Sequence, residues 1–304
     1  MTGRKVTIGV VGAGAVGQTV AMLLTATDWC ARVLISSRTG DSAAALVADL
    51  EDLQQVSGSP VRTHAVEVAD MGVCHAIVLA PRAAFTNRHE RDVRMGGLAA
   101  NAPVIHTLAR DLGGYDGTVI VVTNPVDVLT RLFAETSGCR RTYGVGSHTD
   151  SARYRLLLAE HLGVPVDVVD GRVIGEHGDQ AVICASTTRV AGMPARVPVH
   201  ALHAALTDRP QRITAGLGRA RAGCAGAVLA ALQHTLGLAD GLIELSVNHE
   251  GTWLGIPLHF TAGQPSVCLP PLSPGEARAL AAARAKVRSA YDSLPAHLTE
   301  GVPT

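Results

Sequence analysis

The chain has 304 residues, which is enough for two domains, or one large domain, with a sizeable hydrophobic core. Hydrophobic residues make up 47% of the sequence and charged residues 17%, a composition typical of folded proteins. The formal net charge is zero and the isoelectric point is about 7.2, so no basic surface for nucleic acid is expected. No apolar run is long enough to span a bilayer, so no membrane partner is expected.

Cysteine usage and the N-terminal sequence indicate the compartment. The chain runs from Met1 directly into a strand pattern, so no signal peptide is expected. No two cysteines form a Cys-x-x-Cys pair or a Cys/His pair at zinc spacing, so no metal site is expected. We therefore expect a reduced, cytoplasmic protein. The six cysteines are Cys30, Cys74, Cys139, Cys184, Cys224 and Cys268.

Short apolar strands alternate with helical patterns through the first half of the chain. This alternation predicts right-handed β-α-β units and a parallel sheet, and therefore a doubly wound Rossmann domain over residues 1–142. The predicted strands are Lys5–Val11, Arg32–Ile35, Val61–Val68, Ala76–Ala80 and Thr118–Val122. The predicted helices are Ala15–Thr27, Ser42–Val56 and Gly97–Leu112.

The pattern becomes mixed beyond a soft boundary near residue 142, which predicts an α+β catalytic and substrate domain over residues 143–304. Ser273 and Glu276 have capping-box spacing at the start of the last helix. The predicted helices are Asp150–Leu162, Pro210–His234 and one from Ser273 to about Leu294. The predicted strands are Val173–Ile174, Gln180–Val190, Leu242–Val247, Trp253–His259 and Val267–Leu269.

A glycine-rich turn directly follows the first predicted strand and opens a helix. Gly12 permits the tight turn, Gly14 lets the backbone approach a pyrophosphate, and Gly17 lets helix and strand pack closely. Amides at the helix N-terminus can then bind the phosphates, so the turn predicts dinucleotide binding. The motif G-x-G-x-x-G consists of Gly12, Ala13, Gly14, Ala15, Val16 and Gly17.

The end of the second strand bears on the choice of nucleotide. An NAD-binding domain usually has Asp or Glu there, bonded to the ribose 2′-hydroxyl. Here Ser36 or, with a one-residue slip, Ser37 takes that position, and Arg38 follows. Two hydroxyls and a guanidinium can bind a 2′-phosphate, which favours NADP(H) and leaves NAD(H) possible. Alternatively, Arg38 is an ordinary solvated loop residue.

Three further motifs resemble those of the lactate/malate dehydrogenase family and occur in the family's order. They are V-T-N-P-V-D at 122–127, D-S-A-R at 150–153 and G-E-H-G-D at 175–179. The resemblance covers about residues 5–190, and more loosely the C-terminal part. It implies that Asn124 contacts nicotinamide and substrate, and that its peptide bond to the following proline is cis.

The resemblance also implies an activity, the reduction of a 2-oxo acid by hydride transfer. His177 would give the carbonyl oxygen its proton, because imidazole titrates near neutral pH. Asp150 would hold the other ring nitrogen and stabilise the imidazolium. Arg153 lies three residues beyond Asp150 on the same helix face and would bind the substrate carboxylate through a bidentate fork.

Members of the family have a further arginine that polarises the substrate carbonyl. This arginine lies on a loop, seven residues before an Asn of the next helix. Arg94 precedes Asn101 by seven, and the resemblance implies that Asn101 contributes to the cofactor site. Arg88 precedes Arg94 by six, the spacing of the substrate-binding arginine pair in malate-type members, which favours a second anionic group on the substrate. The loop is about three residues longer than the family's, and we expect Arg82 and Arg91 to be solvated.

The substrate wall departs from the family as well. The helix that usually presents a Thr or Ser to the substrate reads Ala222–Gly226 here, without that hydroxyl. Small residues there allow either a larger substrate or closer helix packing.

Several alternatives remain open at this point. The first is a lactate-type NAD-dependent dehydrogenase of a monocarboxylic 2-oxo acid. Another is an NAD-dependent glycosidase, which would need metal-binding Cys/His motifs. The third is a non-catalytic dinucleotide sensor, against which the retained catalytic residues argue. For the assembly, the resemblance implies a homodimer or homotetramer.

Overall fold

The computed structural model describes residues 5–85 and 94–299. Its first half contains six parallel strands in the spatial order β3-β2-β1-β4-β5-β6, the order of a doubly wound dinucleotide-binding sheet. The strands are β1 (Val6–Val11), β2 (Cys30–Ser36), β3 (Arg62–Ala65), β4 (Ala76–Leu79), β5 (Thr118–Val121) and β6 (Arg141–Gly144). The helices between them are α1 (Ala15–Thr25), α2 (Gly40–Ser57), α3 (Leu98–Asp111) and α4 (Val126–Ser137).

The second half extends this sheet. Strand β12 (Gly241–His249) pairs antiparallel with β6, and β13 (Thr252–Thr261), β8 (Val173–Gly175) and β9 (Ala181–Ile183) follow outward. Strand β14 (Gln264–Val267) pairs with β13. A small second sheet contains β7 (Val169–Asp170), β10 (Arg189–Val190) and β11 (Met193–Pro194). The helices are α5 (Ser147–Leu162), α6 (Val199–Leu217), α7 (Ala222–Thr235), α8 (Pro274–Asp292) and α9 (Ala296–Thr299).

The predicted Rossmann architecture is confirmed, and the main core follows from it. Strands β1, β4 and β5 are buried at every position, as expected for central parallel strands covered on both faces. The capping box of α8 is also confirmed, because the Ser273 hydroxyl accepts from the Glu276 amide and the Glu276 carboxylate accepts from the Ser273 amide. Among the described residues, no helix is long and apolar enough to cross a bilayer.

Several predicted elements are wrong in extent. The sequence pattern assigns no element to α4, whose short, β-branched apolar run does not distinguish helix from strand. Strand Gln180–Val190 divides into β9 and β10, which belong to different sheets. Helix Pro210–His234 is two helices, because Gly218 at φ 73° ends α6; Pro210 lies inside α6. Strand β14 ends at Val267, where the predicted strand begins.

Candidate active site

The three glycines of the phosphate-binding turn have different surroundings. A Cβ at Gly12, whose φ is +109°, would lie 2.7 Å from the Ala80 carbonyl oxygen. A Cβ at Gly17 would lie 1.8 Å from the Gly12 oxygen. Both glycines are therefore required by the fold itself. A Cβ at Gly14 would meet no atom within 4 Å, so the space beside it is open to a ligand.

The start of α1 fits a dinucleotide phosphate. Its N-cap is Gly14, and no side chain caps the first-turn amides, which begin at Ala15 and Val16. Beside this turn, Ser36 is buried, and the Ser37 hydroxyl lies 3.5 Å from the Ala13 amide nitrogen. Arg38 is exposed. Of the residues predicted to bind the 2′-phosphate, the structure therefore leaves Ser37 and Arg38 accessible beside the turn.

A histidine–aspartate pair forms the centre of the site. His177 lies in the turn between β8 and β9, and Asp150 lies in the first turn of α5. The His177 Nδ1 atom is 2.5 Å from Asp150 Oδ2. Only 6% of the Asp150 side chain and 10% of the His177 side chain are exposed, so the pair is largely screened from water.

Two of the predicted arginines converge on the same carboxylate. Arg153 Nη1 is 3.1 Å from Asp150 Oδ1, and Arg94 Nη2 is 3.6 Å from the same oxygen. Arg82 is exposed, with its guanidinium 4.7 Å from the centre of the Phe85 ring. The predictions for Arg88 and Arg91 lie outside the described residues.

Two asparagines connect the loop after β4 to the end of β5. The Asn101 amide group donates to the Asn124 carbonyl oxygen at 2.9 Å and accepts from the Ala83 amide at 2.9 Å. Asn101 therefore positions neighbouring backbone, and its contact with a cofactor stays a prediction. The Asn124–Pro125 bond is cis, as the resemblance implies. The buried Asn124 Oδ1 accepts no hydrogen bond from the described residues, which fits a ligand donor.

The charges around the pair decide its protonation. Burial alone would raise the pKa of Asp150, but His177, Arg94 and Arg153 hold that pKa well below its usual range. Burial and then Arg94 lower the pKa of His177, and together they outweigh the opposite effect of Asp150. The resting site therefore favours an ionised carboxylate beside a neutral imidazole.

Two site residues had no role assigned from the sequence. The Asp127 carboxylate accepts from the His177 backbone amide at 2.7 Å, and burial raises the pKa of Asp127 to about 7. Its place in V-T-N-P-V-D was the available signal. Cys224 on α7 lies close enough to Arg153 and Arg94 for their charges to act on its thiol, although burial still raises the pKa of Cys224 to about 11. The thiol is therefore neutral at physiological pH.

Comparison with known proteins shows the family to which the chain belongs. The profile of the lactate/malate dehydrogenase NAD binding domain matches residues 6–146, and that of the family's alpha/beta C-terminal domain matches residues 148–266. The chain belongs to the lactate/malate dehydrogenase family. The domain division near residue 142 stays a prediction.

Some family members are similar to this chain in sequence, and others are similar to it in fold. An L-lactate dehydrogenase of Zea mays is 33% identical over 195 residues, which cover 63% of this chain and 54% of that protein. An L-lactate dehydrogenase of Deinococcus radiodurans is 35% identical over 191 residues, covering 62% and 61%. The matched part thus spans less than two thirds of these relatives. The malate dehydrogenase of Plasmodium falciparum shares the fold, with a TM-score of 0.88 at 18% identity, covering 97% of this chain and 100% of that one.

Proposed function

We propose that the protein is a nicotinamide-dependent dehydrogenase that reduces a small 2-oxo acid to a 2-hydroxy acid. The observation that carries this proposal is the convergence of Arg153, Arg94 and His177 on the buried carboxylate of Asp150. This arrangement offers a carboxylate fork, a carbonyl-polarising cation and a proton donor within one site.

Each residue has a distinct task in the proposed reaction. The Arg153 fork binds the substrate carboxylate, which orients the keto carbon. Arg94 stabilises the negative charge that develops on the carbonyl oxygen. His177 gives that oxygen its proton, and Asp150 stabilises the imidazolium before transfer. The reduced nicotinamide, when bound, supplies the hydride to the carbonyl carbon.

The lowered pKa of His177 gives substrate binding a second role. The resting imidazole is held neutral by burial and by Arg94, with a smaller contribution from Arg153. A substrate carboxylate on Arg153 adds negative charge beside the ring and so raises the pKa of His177. The proton donor is therefore charged most readily when substrate is present.

The decisive experiment is an assay of a panel of 2-oxo acids with both NADPH and NADH. We expect His177→Ala to lower kcat by about 10²–10⁴, the usual effect of losing a general acid, while cofactor binding survives. Dinucleotide binding without turnover of any 2-oxo acid would favour the non-catalytic sensor.

For the nucleotide we propose a preference for NADPH, although the matched profile describes an NAD binding domain. The support is the absence of an acid at Ser36 and Ser37 and the exposed Arg38 beside them. Ser37→Asp should reverse the preference by repelling the 2′-phosphate. Ser57→Asp, at the exposed end of α2, adds the same charge elsewhere and should leave the preference unchanged. An equal or higher kcat/KM with NADH in the parent protein would refute this preference.

For the substrate we propose a 2-oxo acid with a second anionic group. The support is the six-residue spacing of Arg88 and Arg94, which is the spacing of the substrate-binding arginine pair in malate-type members. Arg88→Gln should lower kcat/KM for a dianionic 2-oxo acid much more than for pyruvate. The matched control is Arg82→Gln, because the Arg82 guanidinium contacts Phe85. An equal loss with both substrates would favour the lactate-type alternative.

For the assembly we propose a homodimer or homotetramer, as the family resemblance implies. Light scattering coupled to size-exclusion chromatography measures the mass of the particle directly. A mass equal to one chain of 31.5 kDa would refute this proposal.

A further inference from the structure

Helix α8 contacts the segment that carries the catalytic histidine at successive positions along one helix face. Near its start, the Glu276 carboxylate accepts from the Ser186 amide at 2.8 Å and from its hydroxyl at 2.5 Å. One and two turns later, Leu280 and Ala283 pack against Gly175, where an added Cβ would lie 3.5 Å and 3.4 Å from their side chains. These residues share a helix face because of their three- and four-residue spacing.

Lys286 continues this face and reaches the turn itself. Its ammonium donates to Glu176 Oε1 at 3.1 Å and also to Asp179 Oδ1. Glu176 and Asp179 stand on either side of His177 in the chain. The second oxygen of Glu176 accepts from the Gln180 amide at 2.9 Å. One cation therefore joins both ends of the histidine turn to α8.

The burial of Glu176 makes this cation important. Glu176 is only 3% exposed, and a buried carboxylate is costly unless it is paired. Its side chain folds beneath the turn, because a Cβ on Gly178 would lie 1.9 Å from Glu176 Oε1. Lys286 supplies a positive charge to this carboxylate, so we expect its loss to disturb the turn that lies above Glu176.

The residue type fits the geometry. Lys5 and Lys286 are the two lysines among the 26 Lys and Arg residues of the chain. An ammonium is a compact charge with three donors, whereas a guanidinium is a planar fork suited to one carboxylate. The gap between Glu176 and Asp179 therefore suits a lysine.

We propose that Lys286 is a positioning residue for His177, and that it sets the distance and angle between the imidazole and Asp150. This inference rests on the proposed dehydrogenase reaction. Lys286 acts through Glu176 and Asp179, while the Asp127 carboxylate accepts a hydrogen bond from the His177 amide. The catalytic ring thus depends on a helix more than 100 residues later in the chain, as the separation of 110 residues between Glu176 and Lys286 shows.

The kinetic test compares Lys286→Met with Lys286→Arg and with Lys5→Met, which alters the other, exposed lysine. A misplacement of about 1 Å can cost about 10²-fold in rate, so kcat of Lys286→Met should fall by roughly 10–100-fold. The KM for the 2-oxo acid and the dissociation constant for NADPH should change little, because Arg153 and the glycine turn are untouched. Lys286→Arg should recover part of the lost rate, and Lys5→Met should behave as the parent.

A second measurement does not depend on turnover. The Nδ1 proton of His177, hydrogen-bonded to Asp150, can be followed by proton NMR and assigned by its loss in His177→Gln. Its resonance should shift or broaden in Lys286→Met and stay in place in Lys5→Met. Unchanged kcat and resonance in folded Lys286→Met would overturn the proposal. A lower Tm with an unchanged kcat per folded molecule would overturn it as well, because the role would then be structural alone. If the parent reduces no 2-oxo acid, the proposed function fails, while the NMR comparison still decides the role of Lys286.

Discussion

Replacing Asp150 by Asn removes the charge on which His177, Arg153 and Arg94 converge, while it preserves the size of the side chain. At an effective dielectric constant of about 20, unit charges about 4 Å apart interact by about 4 kcal/mol. A factor of ten in rate corresponds to about 1.4 kcal/mol, so losing this stabilisation of the imidazolium costs roughly 10³-fold in kcat/KM for reduction. Because the two arginines already offset part of the carboxylate charge, we expect a loss of about 10²–10³-fold.

Asp150→Asn should also change how the rate of reduction depends on pH. Burial and Arg94 already lower the pKa of His177, and Asp150 is the group that opposes them. Without the carboxylate that pKa falls further, so less imidazolium is present at neutral pH. Reduction, which needs the imidazolium, should therefore shift its optimum to lower pH. Oxidation of the 2-hydroxy acid needs neutral imidazole and should lose less.

The assay measures kcat/KM for reduction and oxidation from pH 5 to about 9, the range in which His and its perturbed forms titrate. Asp170→Asn is the matched control, because Asp170 pairs with Arg172 and its side chain is 63% exposed. Circular dichroism and fluorescence titration with NADPH establish that the variants fold and bind cofactor. If Asp150→Asn reduced the substrate within tenfold of the parent, the assigned role of the His177–Asp150 pair would be wrong.

Four other substitutions test separate parts of the reasoning. Gly14→Ala should weaken cofactor binding and leave Tm unchanged, whereas Gly17→Ala should lower Tm, because its Cβ would lie 1.8 Å from a backbone oxygen. Thermal unfolding and NADPH titration measure the two effects, and the same behaviour in both variants would contradict the different roles of the two glycines. Arg153→Lys should raise KM for the 2-oxo acid more than it lowers kcat, because a point charge cannot replace the fork. If steady-state kinetics showed a larger effect on kcat than on KM, Arg153 would not chiefly bind the substrate carboxylate. Burial raises the pKa of Asp127 from 3.8 to about 7. Between these two pH values the folded state keeps a proton that the unfolded state loses, so the free energy of unfolding falls as the pH rises. Asp127→Asn should flatten that slope in urea unfolding between pH 5 and 8, and an unchanged slope would argue against the raised pKa.

Local sequence motifs were sufficient to predict the residues of the candidate site. G-x-G-x-x-G after a strand predicts a phosphate-binding turn because its glycines meet backbone constraints within a few residues. The motifs around Asn124, Asp150 and His177 are likewise recognisable in the sequence, because each must present a particular chemical group. Alternation of short apolar strands with helices was sufficient for the Rossmann topology.

Other features depended on contacts between distant parts of the chain. Helix α4 has β-branched residues that weaken its helical signal, and its burial against the sheet stabilises it instead. The helix predicted over Pro210–His234 ends at Gly218 because a left-handed backbone interrupts it, which composition alone does not reveal. Asp127 and Cys224 acquire their roles only where folding brings them to His177 and Arg153.

What the sequence by itself determined is the chemistry of each group and the doubly wound parallel class of the first sheet, whereas the spatial order of the strands came from the structure. The tertiary structure decided which groups share a carboxylate, which are desolvated, and what holds them. Lys286 is separated from Glu176 by 110 residues, and no local pattern predicts that contact. The physical reason is that pKa shifts and ion-pair geometry depend on burial and on distances in space, which sequence spacing specifies only within a helix or a strand.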